Sequence, residues 1–269
     1  MTLPSPLLKR LLITGAAGGL GSLARRRLTG LAETLRLSDI ADLGEAAANE
    51  EIVCCDLGDF GQVKKLVEGC DGIVHFGGIS VEDTWEKILP ANIEGSYHIY
   101  EAARLFGVPR IFFASSNHAI GFYKRETRID ATDPIRPDSL YGVSKCFGEA
   151  LARYYWDKYG VQTAAVRIGS CFPEPKDHRM MATWLSEDDL VALIERVFYA
   201  PKLGYVTVFG ASDNEEQWWD NRCAGFLGWR PKDSSEQFRE SVDARCEKPA
   251  AEAPANRYQG GGFAIARLD

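Results

Sequence analysis

The sequence predicts an α/β fold, a doubly wound parallel sheet with a small C-terminal annex. Short apolar runs alternate with helical patterns from residue 8 to about residue 170, as expected for successive strand–helix units. A glycine-rich turn at residues 14–21 joins the first apolar run to the first helical pattern. Polar residues cluster where a later apolar run ends, at residues 115–118. After Gly169 the alternation stops, which marks the start of the annex.

The composition is that of an ordinary globular protein. Of the 269 residues, 45% are hydrophobic and 26% are charged, and the net charge of −7 argues against a nucleic-acid-binding surface. No apolar run is long enough for a membrane span, and the first six residues lack the pattern of a signal peptide. Seven cysteines without a C-x-x-C pair, and four histidines, predict neither a disulfide framework nor a metal site. We therefore expect a cytoplasmic protein.

The first predicted strand, residues 8–13, leads into a turn that we expect to bind a dinucleotide. Its glycines have the spacing G-x-x-G-x-x-G, and a helix is predicted at residues 22–29. Glycines let the backbone turn tightly and approach a pyrophosphate, and the helix N-terminus adds N–H groups and a positive dipole end. The predicted cofactor contacts here are Gly15, Ala17, Gly18, Gly19, Leu20 and Gly21.

The second predicted strand, residues 34–38, ends at an acidic residue that indicates which dinucleotide is bound. Asp39 follows Gly21 by eighteen residues, where a dinucleotide fold places a carboxylate for the adenosine ribose hydroxyls. A carboxylate there repels a 2′-phosphate, so we expect NAD rather than NADP. Asp42 is the alternative position for this role, and an exposed loop carboxylate is the alternative interpretation of Asp39.

The third and fourth predicted strands, residues 52–55 and 72–76, end in further candidate cofactor contacts. About a dozen residues separate the second strand from the third, which is near the minimum for a parallel crossover, so we expect a short helix there. A helical pattern at residues 60–70 precedes the fourth strand. The candidates are Asp56 and Leu57, beside the adenine, and Phe76, Gly77 and Gly78, where small residues let a cofactor lie against the backbone.

The middle of the chain combines a long helical pattern with a polar strand end. The helical pattern at residues 84–106 contains Pro90, which should kink it. Asn92 lies within this pattern, either as an exposed amide or as a structural or catalytic group, and it is a candidate cofactor contact. The fifth strand, residues 110–114, ends on the sheet edge where parallel sheets bind ligands, in the cluster Ser115-Ser116-Asn117-His118.

The predicted helix at residues 141–159 begins with a tyrosine and a lysine on one face. Tyr141 and Lys145 lie four positions apart, so both side chains can reach one point. A phenolate that acts near neutral pH must be stabilised by about 3–4 kcal/mol, and a neighbouring Lys⁺ favours the ionised phenol. The pair predicts a base that deprotonates an alcohol, with an exposed lysine beside a half-buried tyrosine as the alternative. The sixth strand, residues 163–168, ends at a further cofactor candidate, Ile168.

The annex is predicted to mix helices with one further strand. The elements are a helix at residues 187–198 capped by Ser186, a strand at 205–209, helical patterns near 217–226 and 234–244, and an extended stretch at 247–256. The apolar end at residues 263–268 has three possible states: disordered, docked on its own body, or docked on a neighbouring subunit.

The glycine turn, Asp39, Ser115-Ser116 and Tyr141-x-x-x-Lys145 together resemble the short-chain dehydrogenase/reductase superfamily, in its extended, epimerase/dehydratase-like branch. The resemblance covers residues 8 to about 170 and implies a Rossmann-type, NAD-binding fold. It also implies that Tyr141 is the catalytic base and that Ser116 binds the reacting oxygen. Lys145 would hold the nicotinamide ribose and lower the pKa of the tyrosine. Only about a hundred residues follow the sixth strand, fewer than enzymes of nucleotide sugars usually carry.

Three segments resemble one subgroup, the NAD-dependent uronate dehydrogenases: residues 114–121 (ASSNHAIG), 172–185 (FPEPKDHRMMATWL) and 218–222 (WWDNR). This resemblance implies oxidation of a hexuronic acid, galacturonate or glucuronate, at C1 to the aldaric acid lactone. Arg179 can offer a bidentate fork to the substrate carboxylate. Short polar groups at strand ends can bind ring hydroxyls, namely Ser80, Asn117, His118 and Ser170.

The predicted organisation follows from this resemblance. Residues 1–170 form an NAD-binding Rossmann domain with the catalytic Ser116, Tyr141 and Lys145, and residues 171–269 form a small substrate-binding region and tail. We expect a homo-oligomer. Two other functions stay open: an epimerase or dehydratase of a nucleotide sugar that uses NAD⁺ catalytically, and an NAD-binding regulator without chemistry. The complete Ser/Tyr/Lys set counts against the regulator, which needs no base.

Overall fold

Seven parallel strands form the central sheet of the protein. The computed structural model describes residues 7–248, 250 and 253–267, so the first six residues, on which the signal-peptide expectation rests, lie outside it. The strands of the sheet are β1 (Leu8–Thr14), β2 (Ala32–Asp39), β3 (Glu50–Cys54), β4 (Gly72–His75), β5 (Arg110–Ser116), β7 (Gln162–Ile168) and β8 (Tyr205–Gly210). Two short strands, β6 (Ile129–Asp130) and β9 (Trp219–Asp220), pair with each other. The sheet order is β3-β2-β1-β4-β5-β7-β8, which confirms the predicted doubly wound sheet.

Helices cover both faces of this sheet, and each face buries its own apolar cluster. The helices are α1 (Gly19–Arg27), α2 (Phe60–Val67), α3 (Trp85–Ile88), α4 (Gly95–Phe106), α5 (Leu140–Tyr159), α6 (Met180–Thr183), α7 (Glu187–Tyr199), α8 (Arg239–Arg245) and α9 (Pro254–Arg257). On one face α1 and α7 pack on the sheet, and on the other α2, α4 and α5 do so. The strand order reverses between β1 and β4, and at such a point the carboxyl ends of the strands open a crevice for a ligand.

The part of the chain after residue 170 completes the sheet as well as forming an annex. Strand β8 pairs in parallel with β7 from Thr163–Tyr205 to Ile168–Gly210. Helix α7 begins at the predicted cap, because the Ser186 hydroxyl accepts a hydrogen bond from the Asp189 N–H. The division into two domains at residue 170 stays a prediction.

Two predicted helices are wrong. In the fully described segment 40–49, turns and bends replace the short helix expected between β2 and β3. The helical pattern near residues 217–226 forms β9 followed by a 3₁₀ helix, Arg222–Leu227. There tertiary contacts override the helical pattern, since Trp219 stacks on Phe209 with ring centroids 5.4 Å apart and β9 pairs with β6. The pattern at 234–244 is helical as predicted, as a 3₁₀ turn that runs into α8.

Two further segments depart from simple helices and extended chain. The interruption predicted at Pro90 is a π-helical segment, Leu89–Glu94, between α3 and α4, which the missing N–H of proline permits. The stretch at 247–256 was expected to be extended; residues 249, 251 and 252 lie outside the described range, and its end begins α9. The chain then turns back onto its own body. Leu268, the last residue of the predicted apolar end, is not among the described residues.

All seven cysteines are free thiols. Within the described part of the chain, no helix is long and apolar enough to cross a membrane. The same residues contain no group of three or more His, Cys, Asp or Glu side chains placed to hold a metal ion.

Candidate active site

The glycine turn lies directly against the end of β4. Gly15 has a φ of +69°, and a Cβ there would come within 2.8 Å of the Gly77 nitrogen. A Cβ on Gly21 would lie 2.1 Å from the Gly15 carbonyl oxygen, so helix and turn pack too closely for any side chain. Helix α1 begins at Gly19, and its first N–H groups, which have no intrahelical acceptor, lie at the crevice. This is the geometry that a pyrophosphate needs.

Asp39 is tied to this turn. Its Oδ2 accepts a hydrogen bond from the Ala17 N–H at 3.0 Å, and its Oδ1 accepts one from the Ala41 N–H at 3.1 Å. Asp42, the alternative position, instead closes its own turn by accepting from the Gly44 N–H. A cavity of about 280 Å³ lies beside Asp39 between the ends of β2 and β3, lined by Asp39, Ile40, Ala41, Asp42, Leu43, Ile52 and Cys54.

The predicted adenine contacts, Asp56 and Leu57, follow β3 but have local structural partners. Asp56 Oδ1 accepts a hydrogen bond from the Gly58 N–H at 2.8 Å. Leu57 lies under the loop after β4, since a Cβ on Gly77 would meet Leu57 Cδ1 at 2.6 Å. Phe76, the residue before Gly77, packs edge-on against Phe112.

A polar pair at the strand reversal, Thr14 and His75, was not predicted from the sequence. The Gly77 N–H donates to Thr14 Oγ1 at 3.1 Å, and Thr14 Oγ1 is also hydrogen-bonded to His75 Nδ1 at 2.7 Å. Burial, and secondarily the charge of Lys145, lowers the pKa of His75 to about 3. His75 is therefore a neutral ring, and through Thr14 it is linked to the Gly77 N–H in the loop after β4. The sequence feature that could have indicated this pair is a threonine and a histidine at the ends of two predicted strands.

Asn92 is buried and holds the next part of that loop. Its Oδ1 accepts from the Ile79 N–H at 2.7 Å, and its Nδ2 donates to the Ile79 carbonyl and to Ser144 Oγ, both at 2.9 Å. Gly78, at a φ of +124°, leaves room for this amide. Asn92 thereby joins the loop that carries the exposed Ser80 to helix α5, and its contact with the cofactor stays a prediction.

Helix α5 begins with two caps and brings the predicted catalytic residues inward. Ser139 Oγ accepts from the Gly142 N–H, and the Glu82 carboxylate accepts from the Leu140 and Tyr141 N–H groups at 3.0 and 2.9 Å. Tyr141 and Lys145 are each only 7% exposed. The Lys145 ammonium lies 5.4 Å from the centre of the Tyr141 ring.

Burial dominates the pKa values of both Tyr141 and Lys145. It raises the pKa of Tyr141 to about 12; the hydrogen bond with Ser116 acts against this rise and the charge of Asp138 adds to it. Burial also lowers the pKa of Lys145 to about 8. These shifts apply to the protein without cofactor, so the expectation that Lys145 and the nicotinamide ring together ionise the phenol stays a prediction.

The cluster after β5 forms one short 3₁₀ turn, Asn117–Ala119, that collects polar groups. Ser116 Oγ caps this turn by accepting from the His118 N–H at 3.2 Å. In the amide orientation that satisfies both of its polar atoms, Asn117 donates to the Ile168 carbonyl at 3.1 Å and accepts from Arg179 Nη2 at 2.6 Å. The ends of β5 and β7 and the loop before α6 therefore meet here.

Arg179 is held by the C-terminal segment. Its Nε donates to the Gln259 carbonyl at 2.6 Å, and a Cβ on Gly261 would lie 2.6 Å from Arg179 Cδ. Burial lowers the pKa of Arg179 to about 10, which leaves it charged at neutral pH. Gln259 itself is fully buried, and its Oε1 accepts a hydrogen bond from Trp219 Nε1 at 2.8 Å. Gln259 and Gly261 were not predicted as site residues.

His118 is enclosed on three sides. Its Nδ1 lies 2.9 Å from Asp138 Oδ2, its ring stacks on Phe263 with centroids 3.8 Å apart, and the Tyr141 ring meets it edge-on at 5.8 Å. Of the three states open for the chain end, the structure shows docking on its own body. Ser170, the last predicted substrate contact, is buried after β7, and its hydroxyl is 2.9 Å from Thr183 Oγ1.

Comparison with known proteins agrees with this geometry. The model of the NAD dependent epimerase/dehydratase family matches residues 11–192. The chain is 58% identical to a uronate dehydrogenase of Pseudomonas putida over 258 residues, which is 96% of each chain.

Two solved structures are similar over nearly the whole chain. A glucuronic acid dehydrogenase from Chromohalobacter salexigens is 59% identical, with a TM-score of 0.95 over 97% of this chain and 98% of that one. A uronate dehydrogenase mutant from Agrobacterium tumefaciens, complexed with NAD, is 56% identical, with a TM-score of 0.95 over 96% of this chain and 98% of that one.

Proposed function

Because the chain belongs to the NAD dependent epimerase/dehydratase family and is 58% identical to a uronate dehydrogenase, we propose that it is an NAD-dependent uronate dehydrogenase. It oxidises C1 of D-galacturonate or D-glucuronate, in the pyranose form, to the aldaric acid lactone and forms NADH. The observation that carries the proposal is the guanidinium of Arg179, held by the Gln259 carbonyl and by Asn117 at the end of β5, in an acidic protein. A sugar with one carboxylate needs one such cation.

The crevice between β1 and β4 fits NAD⁺. The glycine turn would hold the pyrophosphate at the start of α1, and Asp39 would bind the adenosine ribose hydroxyls. Side chains on Gly15 or Gly21 would collide with backbone, so the close packing of the turn depends on glycine. When bound, NAD⁺ accepts the hydride.

The residues of the chain carry the proton and orient the sugar. Ser116 donates a hydrogen bond to the C1 oxygen, and the ionised Tyr141 takes the C1 hydroxyl proton as the C1–H bond breaks and its electron pair leaves as hydride. Lys145 holds the nicotinamide ribose. The products are the lactone, one NADH and one proton on the phenol.

The remaining polar groups select the substrate. Arg179 binds the carboxylate through a charge-assisted pair, and the ring hydroxyls bind to the short side chains around it. Those side chains are Ser80, Asn117, His118 and Ser170.

We also propose that the protein is a homo-oligomer. On the outer surface of α4 and α5, four large side chains are between 41% and 48% exposed: Tyr97, Leu105, Tyr154 and Tyr159. Exposed apolar surface of this kind is typical of a protein interface. Light scattering after size-exclusion chromatography tests this, and a mass equal to the 29.8 kDa chain would contradict it.

NADH absorbance tests the function. The protein is mixed with NAD⁺ and, separately, galacturonate, glucuronate, galactose or UDP-glucose. We expect rapid NADH formation with the two uronates and none with galactose, which lacks the carboxylate. Consumption of UDP-glucose without NADH formation, together with no NADH formation from either uronate, would indicate an epimerase instead.

A further inference from the structure

The carboxylate of Asp138 occupies a compartment built for it just before α5. Its side chain is fully buried and accepts hydrogen bonds from the Ser139 hydroxyl at 2.9 Å and from His118 Nδ1. A Cβ on Gly121 would lie 1.8 Å from Asp138 Oδ2, and one on Gly260 would lie 1.7 Å from it. Backbone from two distant parts of the chain therefore closes on this one carboxylate, and only glycine leaves room for it.

A buried carboxylate is costly unless its partners stabilise the charge, so its position needs an explanation. The contact with His118 is two-sided, at 3.1 Å from Oδ1 and 2.9 Å from Oδ2. An ionised carboxylate only accepts hydrogen bonds, so beside such a partner the proton of His118 would lie on Nδ1. Stacking on Phe263 and the edge contact with Tyr141 stop the ring from turning.

Burial keeps the ring of His118 neutral, against the pull of two nearby carboxylates. Burial is the main cause of its lowered pKa; Asp138 and Glu82 act to raise it, and Arg179 acts to lower it. These groups come from the start of α5, the loop after β4 and the segment before α6, and the Tyr141 phenol also faces the ring. A neutral ring with a proton on Nδ1 has an unprotonated Nε2, which accepts a hydrogen bond.

We propose that Asp138 is a positioning residue that fixes the tautomer of His118, so that Nε2 accepts a hydrogen bond from a hydroxyl of the uronate ring. The proposal rests on the function proposed above and adds a selection rule to it. Arg179 selects the carboxylate, and His118 selects a hydroxyl that can donate at the correct position. Asp138 touches no substrate and acts through the histidine.

The tautomer can be measured directly in the full-length protein. With ¹⁵N-labelled histidine, long-range ¹H–¹⁵N NMR spectra distinguish the two neutral tautomers, and the spectrum of His118→Gln assigns the signal among the four histidines. We expect the Nδ1-protonated tautomer for His118 in the unmodified protein. An Nε2-protonated or charged ring would overturn the proposal, whether or not the protein oxidises uronates.

Kinetics of Asp138→Asn test the consequence. An amide can present its N–H₂ to the ring, so the tautomer is no longer fixed, and we expect the KM for galacturonate to rise about tenfold. The NAD⁺ dissociation constant should stay unchanged. Asp157→Asn, which removes an exposed carboxylate on the same helix, is the matched control and should alter neither value.

A double-mutant cycle separates positioning from a merely structural role. In the His118→Gln background, Asp138→Asn should cost little further, because its target is already absent. If the two effects multiply, Asp138 acts independently of His118 and the proposal fails. If Asp138→Asn does not fold, the NMR measurement on the unmodified protein still decides the matter. Absence of uronate oxidation in the unmodified protein would refute the proposed function alone.

Discussion

Replacing Arg179 by Met should weaken uronate binding selectively. The guanidinium is already oriented by the Gln259 carbonyl and by Asn117, each at 2.6 Å, so little conformational freedom is lost on binding a carboxylate. With a pKa of about 10, it is almost fully charged at pH 8. A hydrogen bond to a charged group contributes about 1.5–3 kcal/mol, so the KM for galacturonate should rise about 10- to 150-fold.

Initial rates of NADH formation, measured over a range of galacturonate and then of NAD⁺, test this expectation. Arg179→Lys should lie between the unmodified protein and Arg179→Met, because it keeps the charge but loses the fork. Arg153→Met on the exposed side of α5 is the control and should change neither KM. An unchanged galacturonate KM in Arg179→Met, or an equal rise in both constants, would refute the assignment of the carboxylate to Arg179.

Three other changes test the rest of the site. Tyr141→Phe should lower kcat about 10²–10⁴-fold without changing the NAD⁺ dissociation constant. In the unmodified protein kcat/KM should rise with pH, because the raised pKa of Tyr141 keeps the phenol protonated, and this rise should disappear in the variant. Retained turnover would exclude Tyr141 as the base. Asp39→Asn should raise the KM for NAD⁺ and reduce the preference for NAD⁺ over NADP⁺, measured as the ratio of the two kcat/KM values. An unchanged ratio would show that another residue selects the cofactor. Gly21→Ala should lower both the melting temperature and NAD⁺ affinity, since its Cβ falls 2.1 Å from the Gly15 carbonyl oxygen; calorimetry that finds neither change would contradict the close packing of the turn.

The sequence was sufficient for those parts of the protein that local chemistry determines. The glycine spacing specifies a turn that only closely packed backbone can form, and a parallel sheet places strand ends at one edge. The role of Asp39 could therefore be predicted from its position at the end of a strand, whereas that of Ser116 was predicted from the family resemblance. Tyr141 and Lys145 could be paired because four helical positions bring them to one face.

The residues that the sequence did not reveal act through long-range contacts. Glu82 caps α5 from 58 residues away, and the Gln259 carbonyl orients Arg179 across 80 residues. Neither has a neighbouring pattern that marks it, because the partner is set by the folding of the whole chain. Asp138 offered a faint signal, as a second polar residue directly before the helix cap Ser139. The same long-range packing made β9 a strand where the local pattern indicated a helix.

Burial opposes the charged forms of both Tyr141 and Lys145. It raises the pKa of Tyr141 to about 12 and lowers that of Lys145 to about 8, which shifts both groups toward their neutral forms, although Lys145 is still mostly charged at pH 7. In the protein without cofactor, rising pH therefore removes the lysine proton before the tyrosine proton. A phenolate beside Asp138 needs additional positive charge, and the nicotinamide ring of NAD⁺ carries it to the site. We therefore expect Tyr141 to act as a base only where a hydride acceptor is also present, which would couple deprotonation of the sugar to its oxidation.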